Sequence, residues 1–216
     1  MKAGIWMAIV LIAALFSAPL SNAADKIGIF ESILESSQSF SETTAALEAA
    51  LEVSSLQLHA AHNVRVPGDR HQAKVYVLTS PRYAETAATE SPRTISAQIL
   101  RIAVYTRGDE QTTFVNMANP VAHAMVFYAN SSNYDALVDA ARNVAADIRQ
   151  IVSALPGNAV SEQQEPRRSE KHFRKFKGDG PARMMAKFRN FEKSQLSVDV
   201  DTSAGFDATV DKVAAA

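Results

Sequence analysis

The chain contains no cysteine. That absence excludes disulfides, zinc–thiolate and iron–sulfur centres, a cysteine nucleophile and a lipid-anchored N-terminal cysteine. The spacings of the common catalytic and ligand-binding motifs are missing too: there is no G-x-S-x-G, no phosphate-cradling glycine loop, no H-E-x-x-H and no EF-hand loop. These absences argue against an enzyme, and no cofactor is expected. Excess charge of either sign is also lacking, since 22 Lys/Arg against 23 Asp/Glu leave a formal −1. The balance is local rather than uniform. Residues 166–193 hold ten Lys/Arg and three Asp/Glu, so the remainder is acidic.

What is present is enough apolar material, 47% of 216 residues, for one good core and the beginning of a second domain. Residues 1–24 have the form of a signal peptide: Lys2, an apolar run from Ile5 to Phe16, a break at Pro19, and Ser21-Asn22-Ala23 as a small-x-small cleavage site. The competing reading is an uncleaved anchor, but the run is shorter than the ~20 residues that span a bilayer. Export to the periplasm or beyond is therefore expected, with a mature chain from residue 24 or 25, and it disfavours nucleotide-driven chemistry and nucleic-acid partners.

The clearest element is a β-hairpin at 97–120. Its first strand is rich in β-branched and aromatic residues, Arg107-Gly108-Asp109-Glu110 is turn chemistry, and a second β-rich run ends at Asn119-Pro120. Strict alternation puts Leu100, Ile102 and Val104 on one face and Arg101 and Tyr105 on the other. A first strand is expected within 26–34. A helix follows to about Val53, opened by Ser39 and Glu42 in capping-box spacing, with Phe40, Thr44, Leu47 and Leu51 at helical intervals. Strands at 56–61 and 73–79 flank a Pro67-Gly68 turn, with Val75 and Val77 assigned inward and Lys74 and Tyr76 outward. Residues 82–90 read as a short helix. A long helix is capped by Ser132 and carries the stripe Leu137, Ala141, Val144, Ile148, Ile151, Leu155 up to Pro156-Gly157. The order predicts an α+β, two-layer fold: a mostly antiparallel sheet with two helices on one face, β-α-β4-α.

Phe40-Ser41-Glu42-Thr43, the strand end Ser80-Pro81, the run Leu100-Arg101-Ile102-Ala103-Val104-Tyr105 and the Asn119-Pro120 step together resemble the family called domain of unknown function 302, over roughly residues 27–155. The resemblance implies the same β-α-β4-α order. This chain departs from the family pattern at Ser80-Pro81, where Asn-Pro is usual, and at Gln98-Ile99, where Leu-Pro is usual. No established activity, cofactor or catalytic residue comes with the resemblance.

The domain is expected to span 25–156. Residues 157–195 are polar and charged and read as a basic linker, too long for an ordinary intradomain loop of ~4–6 residues. Residues 196–216 then look like the first strand and helix over again: at an offset of 166, Phe40/Phe206, Thr43/Thr209, Ala49/Ala215 and Ala50/Ala216 are identical. The alternatives are a truncated second copy or a lone strand and helix folding back.

Three sets of residues carry candidate chemistry. On the face opposite the helices, Arg101, Tyr105, Tyr76 and His59 combine a cation, two phenols and an imidazole, a set suited to a small anionic ligand. The same face is equally suited to pairing with another copy, as a homodimer or within a tandem. His59, His62 and His71 form a weak metal set, because His59 and His62, three apart on a strand, point to opposite faces unless the strand bends. Residues 180–193 spell a short basic helix with Met184, Met185, Phe188 and Phe191 on one side, suited to an envelope surface or to docking on the protein itself. The reading that follows is an exported non-catalytic binding or interaction module of unknown ligand. Its alternatives are a metal-binding or hydrolytic periplasmic protein using the histidines and Arg101, and envelope attachment through 180–193.

Overall fold

A computed structural model describes residues 26–65, 71–108, 112–175 and 205–214 of the chain. The signal segment, the Pro67-Gly68 turn, the basic helix at 180–193 and the strand at 196–200 lie outside the described residues.

Six strands form one antiparallel sheet in the order β2-β3-β4-β5-β1-β6. They are β1 (Phe30–Ser36), β2 (Gln57–Asn63), β3 (Ala73–Thr79), β4 (Leu100–Arg107), β5 (Thr112–Ala118) and β6 (Gly157–Gln163). The hairpin read from sequence is β4–β5, with Ile102 opposite Met117 and Arg107 opposite Thr112. Gly108 supplies the positive φ of 79° that begins its turn. The helices are α1 (Phe40–Glu52), α2 (Pro81–Thr86), α3 (Pro120–Phe127), α4 (Tyr134–Ser153), α5 (Glu170–Arg174) and α6 (Phe206–Ala214), with a 3₁₀ segment at Pro92–Gln98.

Local chemistry explains several boundaries. The Ser39 hydroxyl accepts from the Glu42 N–H and Glu42 caps the Ser39 N–H in return, the full capping box expected at α1. Asn119 caps α3 through its side-chain oxygen, and Pro120 fits the first turn, where no N–H is needed. The cap of α4 is Asn133 rather than Ser132, and its side chain makes no capping bond. That helix forms because Leu137, Val138, Ala141, Val144, Ala145, Ile148 and Val152 are buried along one side.

The sheet packs α1 and α4 against the face of Leu34, Tyr76, Leu78, Leu100, Ile102, Val104, Val115 and Met117, all essentially buried. This is the two-layer α+β fold expected. Two expectations are corrected. Val75 and Val77 are not the inward residues of β3. Tyr76 stands opposite Ile102 and Leu78 opposite Leu100, so the larger apolar bodies go to the core and the two valines lie half-buried on the other face. The domain also does not end at Pro156. Gly157–Gln163, polar enough to read as linker, is the edge strand beside β1, Ile27 and Arg168 form a further bridge, and Phe173 of α5 is buried in the core. An edge strand solvated on one side needs little apolar sequence, which is why its polarity misleads.

Candidate functional site

The face of the sheet away from α1 and α4 carries the first candidate site. Cross-strand register places Val77 beside Arg101, Val75 beside Ala103, Tyr105 beside Phe114, and Asn116 beside Ser32. The Tyr105 and Phe114 rings stack with centroids 5.9 Å apart, and the Arg107 guanidinium lies 4.6 Å over the Phe114 ring. The Tyr105 hydroxyl donates to Asn116 Oδ1 at 3.3 Å, and the Ser32 hydroxyl donates to the same oxygen at 2.8 Å. Polar links thus run beneath a surface of aromatic and branched side chains. Charge is divided across it: Arg101 and Arg107 belong to β4, whereas Glu35 and Glu162 sit on the same face at β1 and β6.

Of the four residues expected here, Arg101 and Tyr105 are on this face and His59 reaches it from the β2 edge, its Nε2 2.7 Å from Thr79 Oγ1. Tyr76 is not. It is fully buried on the helix side, donating to Glu48 Oε1 at 3.0 Å beside the Lys74–Glu48 ion pair of 2.6 Å. Burial, and then the Glu48 carboxylate, push the Tyr76 phenol well above its ordinary range, so it stays a neutral hydrogen-bond donor. The Lys74 ammonium and, to a lesser extent, the Tyr76 hydroxyl hold Glu48 below the usual carboxylate value against its partial burial.

A β-bulge between Leu58 and Ala60 changes the histidine geometry. Ala60 pairs with Val77 and His62 with Val75, so His62 shares the face of His59 after all. His71 is elsewhere, beside Phe40 and Asn63, with Nδ1 buried and unpaired. Among the described residues no group of three His, Asp or Glu side chains is arranged to hold a metal ion. His123, in α3, is half-buried. Burial and, secondarily, the Arg101 guanidinium lower its imidazole to about 4, so it is neutral at physiological pH.

The second candidate site was not legible in the sequence. Glu31 in β1 has no exposed surface, yet four hydrogen bonds reach its carboxylate. Arg149 of α4 contributes two, Nε to Oε1 at 2.9 Å and Nη2 to Oε2 at 2.6 Å, in a bidentate fork. Ser161 and Gln163 of β6 donate at 3.0 and 2.5 Å. Burial alone would raise the Glu31 pKa; the Arg149, Ser161 and Gln163 donors outweigh it and hold the group below its ordinary value, ionised. Gln163 in turn accepts from the Gly28 N–H and from Asn119 Nδ2. Arg149, Gln163 and Asn119 form one wall of a cavity of about 400 Å³ between α3, α4, α5 and the β1–β6 edge.

Alternation alone would put Glu31 and Leu34 on opposite faces. The bulge between Ser32 and Leu34, present in both pairings of β1, turns both toward the helices. No hydrophobicity pattern announces such a bulge.

No family model matches the chain, and no curated protein does. Among solved structures it is similar to that of an uncharacterized conserved protein, DUF302, from Bacillus stearothermophilus, at 14% identity and a TM-score of 0.46 over 58% of this chain and 96% of that one. Among the described residues, no helix is long and apolar enough to cross a membrane.

Proposed function

We propose that this chain is an exported, non-catalytic interaction module, comprising one full copy of a domain of the unknown-function 302 type and the start of a second, and that its uncovered sheet face pairs with another copy of the same domain. The observation that carries this reading is the division of charge on that face. Arg101 and Arg107 lie on β4 and Glu35 and Glu162 on β1 and β6, either side of β5. A two-fold axis near β5 would set the arginines of one copy toward the glutamates of the other around a centre of Tyr105 and Phe114, with Val75 and Val77 of β3 further out. The helix Phe206–Ala214, whose opening matches that of α1, supports a second copy downstream in the same chain. Residues 1–24 supply the export signal and 180–193 a basic segment able to contact an envelope surface.

Charge swapping tests the pairing. A chain with Arg101→Glu and Arg107→Glu and one with Glu35→Arg and Glu162→Arg should each sediment as monomers, and their equimolar mixture should recover the wild-type dimer. Monomeric wild type at about 100 μM, a concentration well above a micromolar dissociation constant, would refute it.

A further inference from the structure

We infer that the cavity behind Glu31 is a binding site for a small zwitterion with an apolar side chain, of the class of free leucine, methionine or phenylalanine. This site is on the helix side of the sheet and does not depend on the pairing face.

The cavity, at about 400 Å³, is the size of a small-ligand pocket. Its floor is apolar, formed by Ile27, Val121, Met125 and Ala145. Its rim is charged, with Arg142 and Arg149 supplied two turns apart by α4 and Glu170 supplied by the start of α5. The buried Glu31 fixes Arg149: Nε and one hydrogen of Nη2 are committed to the carboxylate, which sets the plane of the guanidinium and leaves both Nη1 hydrogens and the second Nη2 hydrogen outside that fork. Preorganisation of this kind lowers the ordering cost of holding a ligand carboxylate. Arg142 is anchored at one nitrogen, Nη1, by Asp139 at 2.6 Å.

Charge balance selects the ligand class. Counting the ion-pair partners Glu31, Asp139 and Arg174 that stand behind Arg149, Arg142 and Glu170, there are three positive groups and three negative, so the site is neutral as a whole but polarised. A net anion gains nothing from such a rim beyond its local contacts, and a net cation likewise. A molecule with both charges gains at each end: its carboxylate meets Arg142 and Arg149 while its ammonium meets Glu170, whose ion pair with Arg174 is loose at 3.8 Å. The Tyr134 hydroxyl, raised in pKa by burial and then by Glu170, remains a neutral phenol beside that carboxylate. The apolar side chain would lie on Met125 and Val121.

Isothermal titration of the mature chain with L-leucine, L-methionine and L-phenylalanine tests the inference, with 4-methylpentanoate and 3-methylbutylamine as the singly charged analogues of leucine. The expected result is saturable binding of at least one amino acid, at least tenfold tighter than either analogue where leucine is bound. Arg142→Gln and Glu170→Gln should each weaken it tenfold or more. Both side chains are roughly half exposed, so both variants should melt with the wild type. Val121→Phe, which occupies the floor without touching a charge, should abolish binding independently. No saturable heat with any of the three amino acids up to about 10 mM, in the range of the weakest specific sites, would overturn the inference. So would equal affinity for 4-methylpentanoate, or binding indifferent to all three substitutions.

Discussion

At Glu31 a charge sits where the sheet expects a hydrophobe, and it is tolerated because every oxygen is met by a donor. Removing one partner leaves the other buried alone. Arg149→Met should therefore lower stability by about 3 kcal/mol in urea unfolding, at the lower end for a broken buried pair because Arg149 keeps 38% of its side chain in solvent. Since the folded pKa of Glu31 lies below its ordinary 4.5, its stabilisation is complete above pH 4.5 and is lost as pH falls through the folded value. Glu31→Gln should flatten that acid limb. His123 acts in a different window. Folded, it stays neutral down to about pH 4, while the unfolded chain takes up the proton near 6.5, so stability falls as pH drops from 6.5 toward 4. The change is about 2 kcal/mol after discounting for partial exposure, and His123→Gln should remove it while leaving the lower limb intact. A wild type whose unfolding midpoint is flat between pH 6.5 and 4.5 would contradict the His123 account.

At the scale of elements, the turn into β6 shows what the backbone requires. Gly157 has φ +147°, and a Cβ there would collide with the Glu35 carbonyl, whereas a Cβ at Gly108, φ +79°, would meet nothing within 4 Å among the described residues. Gly157→Ala should cost about 2 kcal/mol or more and loosen the β1–β6 pairing, while Gly108→Ala should cost only about 1 kcal/mol of backbone strain, compared by thermal melting. Much of the element order was legible because it rests on local chemistry: the Ser39–Glu42 capping box, the β4–β5 alternation and the apolar stripe of α4. What was not legible depends on tertiary context. Tyr76 could be assigned to either face until Ile102 and Glu48 claimed it. The bulges near Ile33 and His59 reverse the parity that alternation implies, which hid Glu31 and brought His59 and His62 to one side. The edge strand β6 carries too few apolar residues to differ from a linker. Arg101 and Tyr105 were placed correctly because no bulge intervenes in β4.

For the molecule as a whole, two faces of the sheet do different work. The helix side closes the core and, at the β1–β6 edge, builds a small polar cavity around a preorganised arginine. The opposite side keeps Val75, Val77, Tyr105 and Phe114 half-buried, with opposed charges at its flanks. An apolar surface of that kind, rimmed by complementary charge, is what a self-pairing sheet presents. The absence of cysteine makes this directly measurable. In a single Ala103→Cys chain the thiol lies on the same face one strand from the proposed axis, beside Asn116 of β5, and its rate of alkylation by a bulky maleimide reports whether that face is covered. Self-pairing predicts a rate that falls several-fold, about sevenfold for a dissociation constant of about 1 μM, as protein concentration rises from about 1 to about 100 μM, and that is restored when Arg101→Glu and Arg107→Glu are added. A rate that is fast and the same at every concentration would contradict it.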